Sequence, residues 1–226
     1  MTTFAIFFAG GGNRIWNHER YAEDFRAILT RLRGFPGLSA DTIKVLSGEG
    51  GNPFQFEGTT IYGELANREN LRQALASVAA RAGSPDRFFF FSSNHGGKEV
   101  PDQKSSSLIC WGRERVTPKE LANWSKDIRC NFQAFILGQC YSGGFIDDLQ
   151  ADKRAILAAC DWDEVSWASR AMCLRCDEFM YRIAEGFEGL APTLNALFAY
   201  AKKADLEREK PQFSDPGRIG DIALWK

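Results

Sequence analysis

The sequence predicts an α/β fold with a mostly parallel sheet and helices on both faces, and three observations carry that expectation. Short apolar runs recur along the 226 residues, at TTFAIFFAG, TIKVLSG, FFFF, NFQAFILGQ and RAILAAC. They are hydrophobic throughout rather than alternating, as strands buried on both faces are. Between most of them lie stretches with apolar residues at helical spacing, and strand–helix alternation of this kind builds parallel sheets. A hydrophobic content of 44% is enough to fill a large core. No repeat, low-complexity tract or shift in composition marks a boundary, so one domain over residues 1–226 is expected.

Each element has its own signal. TTFAIFFAG reads as the first strand and GGGN as the turn after it. Residues 19–33 form a helix, with Tyr21, Phe25, Ile28, Leu29 and Leu32 on one face. TIKVLSG is the second strand; residues 48–63 are glycine-rich without a regular period and could cover a site. Asn67 caps a helix through NLRQALASVAARA, which Gly83, Ser84 and Pro85 end. The phenylalanine strand comes next, then SSLICWG as a short strand or hairpin. Thr117 and Pro118 open the helix TPKELANWSKDI, with proline at its first position. NFQAFILGQ and RAILAAC are further strands, residues 177–188 and 193–209 are helices, and RIGDIALW is expected as the last strand.

Charge narrows the classes of function. The 28 basic and 29 acidic residues are interspersed and sum to -1, so neither a nucleic-acid surface nor a polybasic membrane surface is expected. The N-terminal apolar run is too short to span a bilayer and lacks a charged segment before it. The six cysteines then read as reduced thiols of a cytoplasmic protein. Cys173 and Cys176 form one CxxC; with His18 and His95 the only histidines, no second ligand pair completes a zinc site.

Two strand ends carry chemistry. FFFFSSNHGG ends in His95 and AFILGQCYSGG in Cys140, and consecutive strands joined through a helix usually lie side by side. A thiolate is a nucleophile, and a nearby imidazole can generate it and then protonate a leaving amine. The glycines let backbone N–H groups approach a reacting carbonyl, which makes the amides of Gly96 and Cys140 candidate oxyanion donors.

With those motifs in order, the sequence resembles the clan CD cysteine peptidases, which include caspases, metacaspases, gingipains and legumain. It is most like the legumain, or C13-type, branch. AGGGNRIWNHERYAEDF resembles that branch's first strand and helix, SNHGG its His-Gly motif, LGQCYSGGF its nucleophile turn, and AACDWDEVSWAS the strand lining the substrate channel. The resemblance implies a caspase-like three-layer sandwich and cysteine endopeptidase activity without metal or organic cofactor. It implies a protein or peptide substrate and a possible regulatory partner protein. Cys140 would be the nucleophile, His95 the general acid and base, and Asn17, with a one-residue insertion before it, the support for His95. Ser166 and Trp167 would line the channel, and Glu19, Gly138 and Asp177 would occupy the P1 pocket. Glu19 stands where the branch has an arginine, so the pocket is expected to be acidic and to favour cleavage after Arg or Lys. Cleavage after Asn or Asp is the alternative. Arg154 and Arg170 are candidate self-cleavage sites.

Two other classes compete. The AGGGN loop could hold a phosphate at a helix N-terminus, but it lacks both GxGxxG and GxxxxGK[ST]. A non-catalytic scaffold is the second, against which the intact His95 and Cys140 argue.

Overall fold

The computed structural model describes residues 1–100, 104–169, 175–190, 192–204 and 208–225. In chain order the elements are β1 (Thr3–Ala9), α1 (Glu19–Arg31), β2 (Ile43–Ser47), β3 (Pro53–Phe56), β4 (Thr59–Tyr62), α2 (Arg68–Arg81) and β5 (Arg87–Ser92). There follow β6 (Gly96–Gly97), β7 (Ser107–Ile109), β8 (Arg115–Val116), α3 (Pro118–Ser125), β9 (Phe132–Leu137), α4 (Ile146–Leu149), β10 (Arg154–Ala158), α5 (Glu178–Glu185), α6 (Leu194–Ala204) and β11 (Gln212–Ser214).

The central sheet has six strands in the order β11-β10-β9-β5-β1-β2. All pair in parallel except β11, which runs antiparallel to β10. The chain moves outward from β1 to β2 and returns to β5 on the other flank of β1. Strand order therefore reverses between β1 and β5, the place where open α/β sheets leave a crevice at their carboxyl ends.

The apolar strands are continuous because each feeds two cores. Phe7 of β1 with Phe89 and Phe91 of β5 joins the side chains of α1, α5 and α6 on one face. Ile6 and Phe8 with Phe88 and Phe90 join those of α2 and α3 on the other. Phe7 stacks on Phe91 with ring centroids 4.7 Å apart. Helix starts follow the expected chemistry. Asn67 accepts the N–H of Asn70 at 2.8 Å, and Thr117 and Glu120 form a capping box around Pro118.

Two expectations are corrected. Residues 48–63 contain the hairpin β3–β4, whose turn places Glu57 and Gly58 at φ 47° and 82°. Phe54 and Phe56 point inward, and Phe54 meets Phe25 of α1, so the hairpin extends a core rather than covering a site. RIGDIALW is not a strand: residues 219–221 form a 3-10 turn, and the edge strand is β11. Leu224 is buried without extended pairing, and the carbonyls of Ala223 and Leu224 accept from the Arg87 guanidinium at 2.9 and 2.7 Å.

Arg154 is also corrected. It is buried in β10 and donates to Gln133, Leu149 O and Ser125 O, so it offers no cleavable surface; Arg170 and Cys173 lie outside the described residues. Among the described residues, no helix is long and apolar enough to cross a membrane.

Candidate active site

β5 and β9 lie side by side with Ser92 opposite Leu137, so the segments carrying His95 and Cys140 leave the sheet together. The polar residues after the phenylalanines fix that exit. Ser92 Oγ donates to Gln139 Oε1, next to Cys140. Asn94 Oδ1 accepts the N–H of Gly11 at 2.8 Å, and its Nδ2 donates to Ile109 O at 2.6 Å. Ser93 Oγ reaches Asp24 Oδ2 and Asp177 Oδ2. All three residues are buried, and each has partners, as buried polar groups must.

His95 Nε2 lies 2.8 Å from the carbonyl oxygen of Trp16. A carbonyl can only accept, so Nε2 carries the proton and Nδ1 keeps its lone pair. Burial lowers the pKa of this imidazole from its ordinary value; the Trp16 carbonyl opposes that shift and the Arg20 charge adds to it. His95 is therefore a neutral base at pH 7.

Cys140 is half-buried directly after β9. Its Sγ accepts the N–H of Ser166 at 3.4 Å and lies 3.7 Å from Ser166 O. Burial raises the thiol pKa and Asp177 adds to the rise, while the N–H groups of Ser166 and Gly96 work against it. Tyr141 takes left-handed angles, φ 60° and ψ 21°, which turns the chain sharply beyond the sulfur. A Cβ on Gly96 would lie 1.8 Å from Cys140 O, so only glycine fits beside Cys140. The N–H of Gly96, one of the groups that lower the thiol pKa, is a candidate donor to an oxyanion.

The expected support for His95 is corrected. The Trp16 carbonyl orients the ring, and the Asn17 side chain instead fills the space between Gly11 and Gly48, where an added Cβ would come within 2.2 and 2.6 Å of it. The acidic P1 pocket is corrected as well. Glu19 is exposed and pairs with Arg175 at 3.1 Å. Asp177 is buried and pairs with Arg20 Nε at 2.6 Å, so its charge is balanced by a neighbouring arginine. Gly138 faces Met180, whose Cγ would lie 2.4 Å from an added Cβ.

Ser166 meets Cys140 through its backbone, and Glu209 holds Ser166 and Trp167: its Oε1 accepts from Ser166 Oγ at 3.0 Å and from the Trp167 N–H. Trp167 is 43% exposed, and the Arg208 guanidinium lies over its ring, 4.6 Å from the centroid. Beneath the site, Asp177 N donates to Asp24 Oδ1 at 3.0 Å. Burial, followed by the neighbouring carboxylate, raises the Asp24 pKa well above the usual range. A protonated Asp24 can donate to Ser93 Oγ, which donates in turn to Asp177.

Sequence reasoning missed Trp16, Arg20, Asp24 and Glu209. Trp16 acts through its backbone, and Glu209 lies far along the chain in no motif. Arg20 could have been found, because the extra residue before Asn17 shifts the start of α1 by one position.

The chain matches the model of the peptidase C13 family over residues 62–220, a span that holds both His95 and Cys140. The crystal structure of protein GSU0716 from Geobacter sulfurreducens is similar in fold, with a TM-score of 0.67 and 14% identity over 100% of both chains. No curated protein matches the sequence. With the family match covering most of the chain, the protein belongs to the peptidase C13 family of legumain-type, clan CD cysteine peptidases.

Proposed function

We propose that the protein is a cysteine endopeptidase in which Cys140 attacks the scissile carbonyl and His95 moves the protons. The observation that carries this reading is the Trp16 carbonyl on His95 Nε2, which leaves Nδ1 as the basic atom at the strand end beside Cys140. As Sγ forms its bond to carbon, the thiol proton passes to Nδ1. The oxygen, now negative, is stabilised by the N–H groups of Gly96 and Cys140. The imidazolium then gives its Nδ1 proton to the leaving nitrogen as the C–N bond breaks. Water hydrolyses the thioester by the same route in reverse order.

At P1, the argument for Arg or Lys required an unbalanced carboxylate, and Asp177 is balanced by Arg20. A mixed pair offers both a donor and an acceptor, which supports the alternative of Asn or Asp. Peptides varied at P1 test both levels. Cys140→Ala should abolish cleavage and His95→Ala should lower kcat by about 10²–10⁴. Near-normal turnover by a folded His95→Ala protein would sink the dyad. A preference for Arg or Lys at P1 would sink the P1 assignment alone.

A further inference from the structure

Beside His95 lies a groove of about 500 Å³ lined by Trp16, His95, Gly97, Ile109, Arg113 and Arg115 among others. It is built rather than incidental. The N–H groups of Gly112 and Arg113 donate to Gly12 O at 2.9 and 3.1 Å, which docks this turn on the loop that carries Trp16. The Arg113 guanidinium lies over the Trp16 ring, 4.4 Å from its centroid. Arg115 Nη1 donates to Lys98 O at 2.9 Å and would lie 3.3 Å from a Cβ on Gly97, so its charge stands over the glycine strand that follows His95.

The charge here departs from that of the chain as a whole, which is nearly neutral. Glu99 and Glu114 are adjacent in sequence, yet among the described residues no ion pair joins a carboxylate to Arg113 or Arg115. Two guanidiniums held over an apolar floor suit a carboxylate whose aliphatic stem rests on Ile109 and Trp16.

Position identifies which part of a substrate comes here. The group that protonates the leaving amine must face the nitrogen of the residue after the scissile bond. That residue and the next must therefore depart past His95, into this groove. We infer that Arg113 and Arg115 form a leaving-side subsite selecting substrates with Glu or Asp at the first or second position after the cleaved bond. The inference rests on the peptidase reading and adds to it a specificity on the opposite side of the bond from P1.

The test uses quenched-fluorescence peptides with a common sequence before the scissile bond, Glu, Gln or Lys in the two positions after it, and amidated C-termini. Glu peptides should exceed their Gln twins in kcat/KM by about five- to tenfold at low salt, with Lys below Gln and the gaps closing at high salt. The Arg113→Glu, Arg115→Glu double variant should invert the order, which loss of a merely structural arginine would not do. Cleavage that depends on Cys140 but ignores leaving-side charge would overturn the inference. So would a preference appearing only when the peptide ends in a free carboxylate. Anisotropy measurements on Cys140→Ala with labelled Glu and Gln peptides supply an arm independent of turnover. Equal binding there overturns the subsite; Glu-selective binding without cleavage by the wild-type protein supports the subsite and sinks the peptidase reading instead.

Discussion

Cys140 and His95 sit where burial favours the uncharged form of each, so the resting pair is a thiol and an imidazole rather than an ion pair. Two pH responses follow. The rate of iodoacetamide labelling of Cys140 in the free protein should still climb above pH 9.0, the ordinary value its thiol exceeds. Peptide mapping should find Cys140 labelled before Cys110, Cys130 and Cys160, which burial pushes up to about 12. The acid limb of kcat/KM should fall as His95 gains its proton, at a midpoint below 6.5. A labelling rate that levels off below neutral pH would reveal a preformed thiolate and overturn this picture. At this scale the proposed nucleophile and base were legible, because cysteine and histidine each announce their chemistry. Trp16 was not, because every residue has the same carbonyl. Glu19 was expected beside Asp177 where the structure has Arg20, since neighbours on a helix point about 100° apart and one inserted residue exchanges them.

Among the elements, α1 and α5 meet beneath the site through carboxyl groups, Asp24 on the first and Asp177 at the cap of the second. Both carboxyls are raised, Asp177 to about 6 by burial against the pull of Arg20. The folded state thus keeps protons that the unfolded chain releases above its ordinary value of 3.8. The pair's contribution is full below that value and is lost as pH rises through the folded pKa values. Asp24→Asn keeps the acceptor for Asp177 N–H and should be tolerated, with a weaker decline in stability above pH about 4. Asp24→Ala leaves that buried N–H unpaired and should cost about 1–3 kcal/mol in denaturant unfolding. An Asn variant as damaged as the Ala variant would show that Asp24 is ionised. Long elements were readable from period and caps. The β3–β4 hairpin was not, because each four-residue strand holds too few alternations to register. RIGDIALW was misread because buried Ile219 and Leu224 mimic a strand where the chain is irregular.

For the molecule as a whole, the sheet separates two cores, and this separation should appear in coupling energies. Phe7→Leu and Phe91→Leu, which remove stacked rings on one face, should couple by about 0.5–1.5 kcal/mol in a double-mutant cycle. Phe7→Leu with Phe90→Leu, on opposite faces, should add within about 0.5 kcal/mol. Equal coupling in both cycles would contradict the division. The parallel sheet and the meeting of the β5 and β9 ends were legible, because buried runs between helices admit few topologies. The small antiparallel sheet of β6, β7 and β8 was only partly so, since its order comes from packing against the site loops. The insertion of β9 between β5 and β10 also sets a schedule for the ribosome. Trp16 and His95 emerge before Cys140, and the clamp on Ser166 and Trp167 waits for Glu209, which follows every residue it holds. A nascent chain therefore carries no closed cleft around Cys140 until synthesis has passed Glu209.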